Sequence, residues 1–194
     1  NYLARLGWSH GNQEIFSLDE MISLFSLDNL SKSPAIFDTE KLSWVNTSHI
    51  KISDNNYLKK LLELKFYEEI DVNLAIQCAK EKSKDLNLLK ESLKFCESEY
   101  LDIDDKLKSE VYKNNGIDLI KKFSSDLQSL EKLTEGNIKT LFDNFLGKNN
   151  IKLKNIASPL RIVLTGSRIS PGIYNVIQIL GKNLTLKRIK YFLS

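Results

Sequence analysis

The stretch RIVLTGSRISPGIYNVIQILG, residues 161–181, decides whether this chain is all-helical or mixed. Its opening, RIVLT, is the one segment with a β-branched, strand-like look, yet five residues are too few to assign. The remainder is punctuated by Gly166 and by Ser170-Pro171-Gly172. It then carries Ile173, Val176, Ile177 and Leu180 at the three- and four-residue spacing of an amphipathic helix. That pattern makes Ser170 the expected N-cap. Pro171 falls at the first helical position, where a missing N–H costs nothing, and Gly181 becomes the stop. The loop so formed gathers Arg161, Arg168 and Tyr174 around a helix N-terminus, whose free N–H groups and partial positive charge suit an anionic ligand.

Working outward, apolar residues recur at three and four nearly everywhere, so the expected class is all-α. Ser17 and Glu20 have capping-box spacing ahead of Leu18, Ile22 and Phe25. Leu58, Leu61, Leu62 and Lys65 outline one amphipathic face, and Ile120, Phe123, Leu127 and Leu130 another. The clearest face is Ile138, Leu141, Phe142, Phe145 and Leu146, with Gly147 as its expected close. Three prolines and eight glycines leave no long linker. Boundaries therefore fall at the polar breaks KISDNN (51–56) and CESEYLDIDD (96–105), which divide the chain into 1–53, 54–99 and 100–194. The pieces are expected to pack against one another.

At 194 residues and 42% apolar content the chain is long enough to bury a core. No apolar run approaches the roughly 18 residues that would span a bilayer, and no signal-peptide pattern opens the chain. A cytoplasmic setting without membrane contact is expected. Asn1 stands first and Met21 is the sole methionine, which suggests a piece of something longer. Cys78 and Cys96 lack metal-ligand spacing and read as buried free thiols. The net charge of +3 hides an asymmetry: nine bases and no acids follow Asp143, so residues 1–143 carry −6. A basic tail of that kind is the footprint expected for a phosphate-backbone partner.

Catalytic constellations are absent from the sequence. His10 and His49 have no Ser or Cys nucleophile in a recognisable arrangement. Asp104 and Asp105 lie in an acidic stretch that reads as a solvated helix end. There is no Walker loop, no G-x-G-x-x-G and no zinc motif. NLSKS (29–33) resembles the K-M-S-K-S loop of class I aminoacyl-tRNA synthetases. Asn29 replaces its first lysine, however, and no H-I-G-H partner exists, so it is rejected as an ATP-gripping loop. Among the aromatics, Tyr174 and Trp44 sit beside cationic or amide side chains and are candidates for base stacking, although core packing is the commoner fate of such rings and the preferred reading for Trp44.

Two longer patterns carry a resemblance. N-Y-L-x-R-L-G-W-S-H-G followed by S-K-S-P-A-x-F-D-x-x-K-L-x-W-x-N, within residues 1–51, resembles the segment after the ATP-gripping loop in bacterial glutamyl-tRNA synthetases. S-P-L-R-I-V-L-T-G-S-R-I-S-P-G-I-Y-N-V-I-Q-I-L-G-K, near the C-terminus, resembles that family's anticodon-binding end. The resemblance implies a helical cage of two anticodon-binding subdomains, 54–99 and 100–194, preceded by the end of a stem-contact region, 1–53. It implies a parent enzyme that joins glutamate to tRNA with ATP and Mg²⁺. This chain, without either signature motif, would bind tRNA as a monomer and neither catalyse nor hold a cofactor or metal itself. It further implies anticodon reading by Arg161 and by Ser170, Pro171, Gly172, Ile173 and Tyr174. Lys82 falls where some members use an arginine for a third base, which implies relaxed discrimination between glutamate and glutamine tRNAs. Trp44 and Arg168 are further candidate tRNA contacts. Two alternatives stand beside this reading: a paralogue that glutamylates glutamine tRNA, and a helical protein-interaction module.

Overall fold

The computed structural model describes residues 1–32 and 34–194. Its helices are Tyr2–Gly7 (α1), Leu18–Leu24 (α2), Thr39–Ile52 (α3), Asn55–Leu62 (α4), Val72–Lys80 (α5), Leu86–Leu93 (α6), Asp105–Val111 (α7), Gly116–Gln128 (α8), Glu135–Asn149 (α9), Leu153–Thr165 (α10) and Ile173–Leu193 (α11). Single 3-10 turns occur at Leu27–Asn29, Lys94–Cys96 and Lys113–Asn115. The all-α expectation is met: the described residues contain no strand, and one antiparallel bridge joins Trp8 to Leu30. No helix among them is long and apolar enough to cross a membrane.

Short polar side chains set where these helices begin. Ser17 and Glu20 form the expected capping box, with Ser17 N–H donating to Glu20 Oε2 at 2.7 Å and Glu20 N–H to Ser17 Oγ at 3.2 Å. Asp38, Asp54, Asp71, Asp85 and Asp104 each accept first-turn N–H groups of α3, α4, α5, α6 and α7. Asp104 and Asp105 thus open a helix, as their acidic stretch suggested, and do not form a catalytic pair. The breaks at KISDNN and CESEYLDIDD are the non-helical connections 53–54 and 97–104.

Several local expectations are corrected. RIVLT lies wholly inside α10, and its β-branched residues follow from burial, since Ile162, Val163, Leu164 and Thr165 are all enclosed. Gly147 is interior to α9, which closes at Asn150 in the left-handed conformation (φ 48°). Leu61 is exposed, and Lys65 and Leu130 lie past the ends of α4 and α8. Gly181 does stop the helical stretch that starts at Ile173, at φ 69°, ψ 170°, although a second stretch follows directly and carries α11 on to Leu193. Cys96 is buried, and desolvation pushes its thiol up to about 12, whereas Cys78 is only half-buried.

Helix α10 is the axis of the C-terminal part. It packs on α7, α8 and α11, and α11 also meets α5, α8 and α9. Phe123 of α8 meets Phe142 and Phe145 of α9 at centroid distances of 4.6 and 5.4 Å. The approach of α7 to α8 requires Gly116, because a Cβ there would stand 2.1 Å from the Val111 carbonyl oxygen and 3.4 Å from Pro159 Cβ on α10. The buried cluster runs without interruption from Ile50 to Ile189, so the helices on either side of 97–104 share one core.

Candidate nucleic-acid interface

The last turn of α10 and the first of α11 are joined by a tightly held loop. Gly166 takes the left-handed conformation (φ 63°) that caps α10, and its N–H donates to the Ile162 carbonyl at 2.8 Å. Thr165 Oγ1 donates to the Arg161 carbonyl at 2.8 Å and accepts from Ser167 N–H at 3.3 Å. Half-buried Arg161 reaches across the loop: its Nη1 donates to the carbonyls of Pro171 (2.6 Å) and Ser170 (3.2 Å) and to Ser170 Oγ. Its Nε and Nη2, the edge that meets two acceptors in parallel, make no hydrogen bond among the described residues.

This clasp overturns the expected capping. Ser170 does not cap α11 and Pro171 is not its first residue; the helix begins at Ile173 behind Gly172, which has no side chain to offer. Ser170 lies two residues before the N-cap, and its hydroxyl accepts from Arg161 Nη1 and donates to the Pro171 carbonyl. The first N–H groups of α11 are therefore left without a side-chain cap. Pro171 and Ile173 are buried, so a ligand at this point meets backbone. Tyr174 is half-buried with its ring 4.8 Å from Phe142, forming a wall continuous with the core.

Lys82, eighty residues away in sequence, lies beside this loop. It is exposed on the turn after α5 and lines a small cavity of about 130 Å³ together with Ile169, Ser170 and Pro171. On its other side it lines a groove of about 620 Å³ with Trp44, Thr47, Glu81 and Lys84. Trp44 is 49% exposed, which corrects the preference for a core role. Asn46 Nδ2 donates to the Lys84 carbonyl at 2.8 Å and fixes α3 against the turn that bears Lys82. Lys82 is thus shared between the groove that holds Trp44 and the cavity walled by Ser170 and Pro171, the two residues that Arg161 clasps.

Other expected features are placed differently. Arg168 is exposed but pairs through both its Nε and Nη2 with the Glu110 carboxylate. That guanidinium holds Glu110 below the usual carboxylate range. Much of the basic tail is likewise engaged internally: Lys187 contacts Glu69 and Glu99, Lys182 donates to the Leu130 carbonyl, and Arg188 is buried. Lys152, Lys154 and Lys190 form no ion pair among the described residues. His10 is exposed, and His49 Nε2 lies 2.9 Å from Asn1 Oδ1. The NLSKS decoy is tied by backbone to α1, Ser31 N–H donating to the Gly7 carbonyl at 2.8 Å; its Ser33 lies outside the described residues. No cluster of three His, Cys, Asp or Glu side chains fit for a metal occurs among the described residues. Sequence reasoning missed Glu110, Lys84 and the burial of Arg188. The last was signalled by its place four residues beyond Leu184, on the stripe that the stretch after Gly181 buries.

Residues 35–193 match the family described as anticodon binding domain. The chain is 35% identical over 201 residues to a glutamate–tRNA ligase of Thermodesulfovibrio yellowstonii, covering 98% of this chain and 43% of that protein. It is 39% identical over 195 residues to glutamate–tRNA ligase 1 of Campylobacter hominis, covering 98% and 42%. Among solved structures, a glutamate tRNA ligase from Elizabethkingia meningosepticum in complex with its amino acid superposes with a TM-score of 0.77 at 25% identity, over 99% of this chain and 39% of that one. The chain spans about two-fifths of the length of these relatives.

Proposed function

The chain belongs to the anticodon-binding domain family, and from that membership we propose that it holds the anticodon arm of a glutamate transfer RNA on behalf of a longer glutamate–tRNA ligase. The observation that carries the reading is the convergence of Trp44, Lys82 and the Arg161-clasped loop on one surface, from three distant parts of the chain. RNA loops present unstacked bases whose edges hydrogen-bond and whose faces stack, and this surface offers both kinds of partner. The free Nε/Nη2 edge of Arg161 suits a pair of acceptors on one base. The uncapped N–H groups of α11 suit a base carbonyl or a phosphate. Trp44 offers a stacking face worth roughly 1 to 3 kcal/mol per base. Phosphate contacts, which position without reading sequence, fall to Lys84, Lys152 and Lys154.

In this reading residues 1–53 serve as the end of a stem contact, and 54–99 and 100–194 as two parts that grip the anticodon. The chain works as a monomer in the cytoplasm, and the ATP- and Mg²⁺-dependent attachment of glutamate belongs to the remainder of the ligase. Lys82 offers a point charge in place of a planar fork, so glutamine isoacceptors are expected to compete with glutamate ones.

Chemical footprinting tests the proposal. Binding of the chain should protect the anticodon-loop nucleotides of glutamate tRNA, and Arg161→Ala should remove part of that protection. Protection confined to other parts of the tRNA, or its absence, would sink the reading, and strong rejection of glutamine tRNA in competition would sink the relaxed specificity alone.

A further inference from the structure

Arg188 is 2% exposed and faces no carboxylate among the described residues. Four backbone carbonyls hold its charge. Nε donates to Glu99 at 3.0 Å, Nη1 to Leu164 at 2.6 Å, and Nη2 to Phe95 at 2.8 Å and to Ser98. The neighbouring Cys96 is a neutral thiol, and the Phe95 ring centroid lies 6.0 Å from the guanidinium carbon. Burying a cation against dipoles alone is costly, and apolar residues of similar volume often fill such a site with no loss of stability. The distribution of acceptors shows what the charge accomplishes. Phe95, Ser98 and Glu99 sit at the end of the helical run that follows the Lys82 turn, and Leu164 is at the end of α10, one residue before the Thr165 hydroxyl that holds the loop. The acceptors form two groups: the Phe95 and Leu164 carbonyls belong to the last turns of helical segments, where carbonyls lack helical partners and carry partial negative charge, and those of Ser98 and Glu99 lie in the non-helical connection just past Phe95. One planar fork satisfies both, and in doing so ties the part of the chain bearing Lys82 to the part bearing Arg161.

We propose that Arg188 is a positioning residue for anticodon recognition, fixing the spacing between Lys82 and the 166–174 loop by clasping the ends of the 94–99 segment and of α10. This rests on the anticodon reading above. Arg188 touches no RNA in this account. Its loss therefore loosens the agreement between two base contacts without altering phosphate contacts, whereas a purely structural role would weaken all RNA binding together.

The test uses the whole chain with Arg188→Met, which keeps length and removes the donors, and Arg188→Lys, which keeps the charge without the fork. Each is titrated with tRNA bearing the glutamate anticodon and with the same tRNA carrying a replaced anticodon, and thermal melting establishes that each variant is folded. The wild type should prefer the intact anticodon. Arg188→Met should lose roughly tenfold of that preference, the scale of one specific base contact, at unchanged salt dependence, with Arg188→Lys in between. Amide exchange at residues 165–172 should quicken in both variants. Should Arg188→Met not fold, Arg188→Lys carries the same comparison. A wild type that discriminates beside a folded variant that discriminates equally well overturns this inference alone. A wild type that binds both RNAs equally overturns the anticodon reading and this inference with it.

Discussion

Arg161 uses its nitrogens unequally. Nη1 clasps the Ser170 and Pro171 carbonyls, while the Nε/Nη2 edge has no internal partner among the described residues. Arg161→Ala is therefore expected to weaken binding of the intact anticodon by about 1 to 3 kcal/mol and to leave binding of an anticodon-replaced tRNA nearly unchanged. Titration of both RNAs checks this; equal losses on the two would remove Arg161 as a reader. A second residue-scale expectation concerns Glu14. Hydrogen bonds from Arg5 (2.7 Å) and then Lys41 (3.1 Å) hold its carboxyl below the usual carboxylate range. A carboxylate with a depressed native pKa contributes stability that is present above about pH 4.5 and fades as pH falls through the lower native value. Glu14→Gln should accordingly melt below the wild type at pH 7, by up to about 1 kcal/mol, and the gap should close as pH falls below that window. A gap independent of pH would show that the pair contributes nothing through charge. The sequence places Arg161 beside the loop at the start of α11, but its clasp of Ser170 and Pro171 was not legible there. Spacing suggested that Ser170 caps a helix, and only the fold shows its hydroxyl accepting from the arginine instead.

At the scale of elements, the meeting of α7, α8 and α10 is the tightest constraint on the site, because α10 carries Arg161. Gly116 is the contact point. Gly116→Ala sets a Cβ against the Val111 carbonyl oxygen, 2.1 Å away, and should cost about 1 to 3 kcal/mol of stability in denaturant melts. Unchanged stability would mean that α7 and α8 meet less closely than described. Helix existence was largely legible from three- and four-residue periodicity, as in Ile138 to Leu146 of α9. Helix ends were less so. Asp38, Asp54, Asp71, Asp85 and Asp104 announce starts and Gly181 marks a true break, while Gly147 proved a poor stop, because a glycine permits a left-handed end without demanding one. RIVLT was ambiguous for a physical reason. α10 is covered by α7, α8 and α11, so Ile162 to Thr165 are all buried, and a turn enclosed on every side carries no periodic signal.

Across the whole molecule, the sequence shows a basic tail, and the fold spends much of it. Arg188, Lys182, Lys187 and Arg168 serve internal contacts, so the charge facing a phosphate backbone is smaller than composition suggests. In the proposed reading, recognition rests more on Trp44, Lys82 and the clasped loop, a combination that no local window of sequence reveals, because its members come from three separated regions. A salt titration of this chain with tRNA bearing a glutamate anticodon, beside the same tRNA with that anticodon replaced, addresses the central claim most directly. Affinity for both should fall as salt rises, through release of phosphate counterions, while the intact anticodon remains bound about tenfold or more tightly at every salt concentration. Equal affinity for the two RNAs would contradict the account and leave a helical domain that binds phosphate alone.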